Sequence, residues 1–260
     1  MVSRSGSFED TPAGTLYRQA RMTTARVPPL NKLLAALPRD IHERLQPNLE
    51  LVPLKFGTSI YEAGGKQGYV YFPTNAIVSL LYVMKDGASA DIAVVGNEGL
   101  VGISLFMGGE TTPSRAVVQS AGHAYRLRAK LLKGEFEFGG ALQHLLLRYT
   151  QALITQMAQT AVCNRHHAIE QQLCRSLLLS ADRLPTDVLT MTQESIANML
   201  GVRREGVTEA AGKLQDAGLI HYSRGCITIV NRPELEKRVC ECYAVVKKEY
   251  DRLLPDEMAL

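Results

Sequence analysis

The chain has 260 residues, 46% hydrophobic and 21% charged, with a formal net charge of +3. That length suits two modest domains with real cores, and a charge so small does not by itself indicate nucleic acid. No run of about 18 apolar residues is present to span a bilayer, and no basic patch followed by an apolar stretch marks a secretory signal, so a cytoplasmic protein is expected.

Residues 1–28 carry Ser, Gly, Thr, Pro and Arg without apolar periodicity and read as a disordered tail. Leu30, Leu33, Leu34, Leu37, Ile41 and Leu45 then recur at near-helical spacing, interrupted by Pro38, which predicts two short helices. Over 51–127 the pattern changes to short β-type runs at 51–55, 70–72, 76–84, 90–95, 114–119 and 122–127, separated by Gly57, Gly64-Gly65, Asp86-Gly87 and Gly108-Gly109. Many short strands with regular turns predict an antiparallel barrel or jelly roll. From Ala141 to Leu184 there is neither Pro nor Gly, which predicts long helix with a break near 164–167. Leu146, Tyr149 and Leu153 make one apolar stripe on it, and Leu147, Ile154, Met157 and Ala161 make another. A helix apolar on two sides needs two partners, its own barrel and the same helix of a second chain.

The most informative stretch is 189–230, LTMTQESIANMLGVRREGVTEAAGKLQDAGLIHYSRGCITIV. Thr190 with Gln193 has capping-box spacing, with Thr192 as the alternative N-cap. Ile196, Met199 and Leu200 give the helix an apolar side, Gly201 supplies a tight turn, and Val202 plugs the angle to a second helix. That second helix, about 203–216, buries Val207, Ala210 or Ala211, and Leu214, and presents Arg203, Arg204, Glu205, Thr208, Glu209 and Lys213. Ser223-Arg224-Gly225 sits between two apolar runs and predicts a β-hairpin wing with Arg224 at its tip. A helix-turn-helix followed at once by such a wing suits double-stranded DNA. Arg204 and Glu205, with Thr208 and Glu209, are the candidate base readers, while Thr192, Gln193, Arg203, Lys213 and Arg224 are the candidate phosphate contacts. The segment 233–254 is predicted helical.

The core from Thr192 to Gly201, continued by Val202-Arg203-Arg204-Glu205-Gly206-Val207, resembles the T-x-x-x-I-A-x-x-L-G-x-(S/T)-R-E-(T/S)-V signature of the Crp/Fnr family of bacterial transcription regulators. Upstream echoes are GTSIYEAG at 57–64, Val70-Tyr71-Phe72 and Val94-Val95-Gly96-Asn97-Glu98-Gly99. The resemblance implies an α+β chain: a cyclic-nucleotide-binding-like jelly roll as sensor domain (29–135), a dimerisation helix (136–164) and a winged helix-turn-helix domain (165–260). It implies a homodimeric, sequence-specific transcription regulator that contacts RNA polymerase. Gly206 departs from the family's small hydroxyl residue, and Glu209 stands where many members carry a basic or other polar reader.

Cyclic-nucleotide-binding members carry a G-E-L-(G/A) element and a later R-(S/T)-A. The counterpart here, Val101-Gly102-Ile103-Ser104-Leu105-Phe106, lacks that glutamate, and the later element is Ser114-Arg115-Ala116. A cyclic nucleotide is therefore not the expected effector, and Glu98 and Arg115 are the only substitutes as an effector pair. The alternative reading is a cyclic-nucleotide-responsive module whose helix-turn-helix engages protein. An enzyme is not expected: no phosphate loop, nucleophile elbow or zincin motif occurs, and His123 alone cannot furnish a metal site on the barrel strands.

All five cysteines lie beyond residue 160, so the N-terminal cysteine set of iron-sulfur sensors is missing. Cys163, His166, His167 and Cys174 form one group of potential ligands near the helix break, and Cys240-Glu241-Cys242 another. Free cysteines most often pack as small buried apolar residues, and no metal or cofactor is expected.

Overall fold

Residues 31–254 are described by the structure, a computed structural model, and the tail expected over 1–28 lies outside them. Helices α1 (Lys32–Ala35) and α2 (Arg39–Leu45) open the fold and part at Pro38. Asn31 caps α1 by accepting from the Leu33 and Leu34 amides. Its own amide donates to the Pro73 and Gly99 carbonyls at 2.9 and 2.8 Å, so one buried side chain ties the first helix to two loops of the β-domain.

That domain consists of β1 (Glu50–Leu54), β2 (Ser59–Tyr61), β3 (Tyr69–Pro73), β4 (Ile77–Val83), β5 (Ser89–Val95), β6 (Arg115–Ser120) and β7 (Gly122–Arg128). They form two antiparallel sheets, ordered β1-β7-β3 and β2-β6-β4-β5, which is the expected jelly roll. Val70, Phe72, Val78, Val95, Ala116 and Leu127 form its core and are all but inaccessible. Asp86-Gly87 turns β4 into β5, with Gly87 at φ +88° and Asp86 Oδ1 accepting from the Ala88 amide. Strand β2 has no counterpart among the expected runs, since three half-buried residues are too short for a period to show.

Helix α3 (Ala129–Phe138), likewise absent from the expected elements, follows β7 without a loop. Gly139 and Gly140, both at positive φ, break it from α4 (Ala141–His166), the long helix. The α4 stripe of Leu146, Tyr149 and Leu153 is fully buried, and the Tyr149 hydroxyl donates to the Leu100 carbonyl at 2.8 Å. Of the second stripe, Leu147 is 50% and Ile154 55% exposed and Ala161 is uncovered, but Met157 departs from the expectation and is half-buried against the core, because its helical position falls nearer the Leu146 side. After His167, α5 (Ile169–Ala181) leads to β8 (Val188–Thr190), α6 (Gln193–Leu200), α7 (Arg204–Asp216), β9 (Ile220–Ser223), β10 (Cys226–Ile229), α8 (Arg232–Arg238) and α9 (Glu241–Leu253). The small antiparallel sheet runs β8-β10-β9, and α9 packs back along α4 and α5.

The two halves are locked together at the turn after β5. The Arg183 guanidinium, 5% exposed, donates through Nε to Glu98 Oε1 at 2.7 Å, through Nη1 to the Leu179 carbonyl and through Nη2 to Gln156 Oε1 at 2.9 Å. Gln156 in turn donates to the Val94 carbonyl, and the Tyr250 ring lies against the guanidinium. The turn can come this close only because it is glycine-rich: a Cβ on Gly96 would sit 2.6 Å from Arg183 Cβ, and one on Gly99 2.5 Å from the Tyr149 ring.

Removing one member of this pair strands the other. Glu98→Gln is expected to cost about 3–5 kcal/mol in urea unfolding, whereas the volume-matched double variant Glu98→Leu/Arg183→Met loses markedly less.

Candidate DNA interface

Thr192 is the N-cap of α6, accepting from the Ser195 amide at 3.0 Å. Thr190 does not share that role: it lies at the end of β8, opposite Cys226, so the capping-box spacing with Gln193 is fortuitous. Gly201 ends α6 at φ +66°, and its amide donates back to Ala197 and Asn198. Half-buried Val202 fills the turn, Arg203 is the N-cap residue of α7, and Val207, Ala210, Ala211 and Leu214 are the buried side of that helix. Gly206 faces α5: a Cβ there would stand 2.7 Å from Ile169 Cδ1, a contact that a rotation of the Ile169 side chain would relieve.

The opposite side of α7 is open to solvent at Arg203, Arg204, Glu205, Thr208, Glu209 and Lys213. Its groups are partly organised. Gln193 Oε1, on α6, accepts from Thr208 Oγ1 at 3.0 Å and from Arg204 Nε at 3.4 Å, which holds the first residue of α7 against the preceding helix. Glu209 and Lys213 pair with each other at 2.7 Å across one helical turn, and that bond lowers the carboxyl and raises the amine from their ordinary pKa values. The two residues expected to touch a base and a phosphate thus neutralise each other in the DNA-free protein.

Arg224 stands at the tip of the wing. Ser223 pairs with Cys226, leaving the two-residue loop Arg224-Gly225 with φ of +49° and +79°. Such a loop favours Asn-Gly or Asp-Gly; an exposed arginine there carries backbone strain that its own hairpin does not need. The wing lies beside the start of α6, where the Met191 amide donates to the Gly225 carbonyl at 2.8 Å. Thr192, Gln193, Arg203, Arg204, Thr208 and Arg224 are therefore placed on one composite of α6, α7 and wing.

The effector pair is not brought together. Glu98 is committed to Arg183, while Arg115 at the start of β6 pairs on the surface with Glu62 at 2.9 Å. Where the family's binding cassette would run, Val101 bridges to Tyr71, Gly102 takes φ +117°, and Leu105 and Phe106 are buried.

The cysteines fall together differently from the sequence grouping. Cys163, His167, Cys240 and Cys242 place their ligating atoms within 4.8 Å of one another, uniting the two groups and leaving out Cys174 and His166. The long separation along the chain hid this cluster.

Jelly roll, long helix and winged helix-turn-helix follow one another in that order along the chain. Residues 171–238 match the family model of the Crp-like helix-turn-helix domain. The fold is shared with FixK2 from Bradyrhizobium japonicum, at TM-score 0.64 and 16% identity over 74% of this chain and 98% of that one. It is shared with a Crp/Fnr-family regulator from Eubacterium rectale, at 0.60 and 19% over 79% and 96%. A Crp-family regulator from Thermus thermophilus aligns at 0.61 and 18% over 72% and 95%. No curated protein matches the sequence. Residues 171–238 therefore carry a Crp-like helix-turn-helix domain, and the chain as a whole shares the fold of Crp/Fnr-family regulators. No helix among the described residues is long and apolar enough to cross a membrane.

The helix-turn-helix rests on the jelly roll through β5. Gly201 faces Ala90, where an added Cβ would be 3.3 Å away, and Gln119 Nε2 donates to Met199 Sδ at 3.3 Å. A cavity of about 30 Å³ at this junction is lined by Asp91, Gln156, Arg175, Met199 and Leu200 among others. Burial pushes the Asp91 carboxyl up to about 7, against the opposing hydrogen bond from Ser79. A carboxyl raised on folding favours the folded state while protonated, and that contribution is lost as pH climbs from about 4 through about 7. Unfolding stability is expected to fall between pH 5 and pH 8, and Asp91→Asn is expected to flatten that slope in urea titrations at the two pH values.

Proposed function

We propose that the protein is a homodimeric, sequence-specific DNA-binding regulator in which α7 enters the major groove and the jelly roll modulates binding. The observation that carries this reading is the bare polar side of α7, flanked by the capped start of α6 and by a wing whose tip holds Arg224 in a strained conformation. Buried on one side and uncovered on the other, α7 has the form of a recognition helix. Arg204 and Glu205 at its first turn are the base readers, with Thr208 and Glu209 beside them. Thr192, Gln193, Arg203, Lys213 and Arg224 hold phosphates. Engaging DNA then requires Lys213 to leave Glu209 for a phosphate, which frees Glu209 to accept from a base edge.

The domain division belongs to the same reading: a sensor over 29–135, a dimerisation helix over 136–164 and the DNA-binding domain over 165–260. Contact with RNA polymerase and a cytoplasmic location are part of it. The sensor acts through the β5–α6 contact, since any shift of the β4–β5 hairpin bears on Gly201 and Met199 directly. The effector's identity is not specified by Glu98 and Arg115, whose charges are spent on Arg183 and Glu62.

Selection from a randomised duplex library with the full-length protein tests the DNA reading. Enrichment of a two-fold symmetric motif, with affinity falling steeply as salt rises, is the expected result. Arg204→Ala is expected to weaken binding by about 1–3 kcal/mol, roughly 5- to 150-fold, and to relax preference at one base pair of each half-site. Enrichment of no motif by a protein that binds duplexes only non-specifically would overturn sequence-specific recognition.

Dimerisation is assigned to the exposed apolar side of α4. Leu147, Ile154 and Ala161 recur every seventh residue and Ala158 lies between them, all uncovered. The double variant Leu147→Glu/Ile154→Glu is expected to sediment as a monomer while the wild type sediments as a dimer. Its specific DNA affinity should fall by more than tenfold because each chain then engages one half-site alone.

A further inference from the structure

We propose that Cys163, His167, Cys240 and Cys242 form a closed tetrahedral site for one zinc-type divalent ion. The four ligating atoms are gathered closely enough to surround one ion. Cys163 Sγ and Cys240 Sγ are 3.5 Å apart, Cys242 Sγ and His167 Nδ1 are 3.6 Å apart, and all four ligating atoms lie within 4.8 Å. A tetrahedral ion with metal–sulfur bonds of about 2.3 Å separates its sulfurs by roughly 3.7 Å. A disulfide would require about 2.05 Å.

The surroundings complete the site. His167 Nε2 lies 3.4 Å from Glu241 Oε2, so Nε2–H can donate to the exposed carboxylate, which fixes the tautomer that leaves Nδ1 free to ligate. A carboxylate behind a ligating imidazole is the usual outer partner of a bound metal. The three cysteines are buried in a small cluster of their own, apart from the main apolar core, so they are not simply core filling.

As the ion binds, each of the three thiols releases its proton to solvent, and three thiolates with a neutral imidazole around a divalent ion leave one negative charge. Arg175 answers it. This buried guanidinium draws on Cys163 electrostatically, donates through Nη1 to Thr160 and keeps Nε without a hydrogen-bond partner.

Three soft thiolates and one imidazole in a tetrahedron select zinc over the oxygen-seeking divalent ions. Sulfurs this close enclose a single ion, not a multi-iron cluster, and Cys174 on α5 lies outside the set. Four protein ligands leave no open coordination position, so the site is structural and not catalytic. It joins the last turn of α4, the α4–α5 junction and the α8–α9 junction, across 77 residues of chain between Cys163 and Cys240. A groove of about 420 Å³ is lined in part by Cys240 and Glu241, so the cluster lies next to the surface.

The test uses untagged full-length protein, purified anaerobically from zinc-supplemented cells, with metal content read by plasma mass spectrometry. About one zinc per chain is expected, released in full by an organomercurial that titrates the thiols. Cys163→Ser and Cys240→Ser are expected to lose most of it, while Cys174→Ser keeps it. Refilling the emptied wild type with Co²⁺ should give thiolate-to-cobalt charge-transfer bands and the intense visible bands of a tetrahedral site. If the serine variants do not fold, the wild-type stoichiometry and cobalt spectrum decide alone. The proposal is overturned by wild-type protein that stays metal-free and gives no cobalt spectrum, by a Cys163–Cys240 disulfide in the anaerobic protein, or by iron bound with inorganic sulfide.

Discussion

The buried pair of Glu98 and Arg183 is the contact on which the arrangement of the whole chain depends. Taking both charges out of water is expensive, and a pair so deeply placed is tolerated only where each remaining donor finds a partner. Leu179, Gln156 and the Tyr250 ring supply those partners, and each comes from a different helix. An apolar pair of equal volume could pack in several ways. A guanidinium with fixed directions for its hydrogen bonds defines one relative position for the turn after β5, the middle of α4, the end of α5 and the far end of α9. Two glycines, Gly96 and Gly99, let the backbone reach that position.

Held in that position, α4 is divided into two faces. One is consumed by Tyr149, Leu153 and Gln156 against the jelly roll. The other is left with Leu147, Ile154 and Val162 in water. Exposed apolar side chains are ordinary when scattered, but here they recur along one side of a 26-residue helix. The same constraint directs α5, against which α7 is packed at Gly206. Under the dimer reading, the seam and the two recognition surfaces are therefore parts of one rigid connection, and the β5–α6 junction is where a change in the jelly roll can bend it.

Most of this was legible in sequence wherever a short-range rule decides structure. Gly201, Val202 and the buried positions of α7 follow from helical periodicity and turn chemistry, and the jelly roll follows from its spaced turns. Where a choice depended on a partner far along the chain, the sequence could not show it. Thr190 and Thr192 are both plausible caps until β10 claims Thr190 for its ladder. Glu98 looks like a turn carboxylate free for a ligand until Arg183, 85 residues on, is seen against it. Gly206 looks like a departure from a DNA-reading signature, and only the structure shows that it faces Ile169 on another helix. The strain at Arg224 leaves no trace in the sequence either, because Ser-Arg-Gly does not announce a positive φ at its middle residue.

The cysteines carry the same lesson further, because their meaning rests on α9. That helix runs antiparallel to α4, with Cys242 near Cys163 at one end and Glu249 accepting from Gln151 at 3.3 Å toward the other. At its far end Tyr250 lies against Arg183, and at its near end stand the three thiols and the imidazole. A rod held at one point can pivot, but one held at both ends cannot. The buried ion pair secures the far end, and near the start of α9 the Tyr243 hydroxyl donates to Asp182 Oδ2 at 2.9 Å while His167 Nε2 lies 3.4 Å from Glu241 Oε2. An ion drawing Cys163, His167, Cys240 and Cys242 together would fasten that near end to α4 directly. It would do so at the junction of α4 and α5, where the long helix hands over to the helix-turn-helix and where a few degrees of rotation would be carried to α7 and the wing.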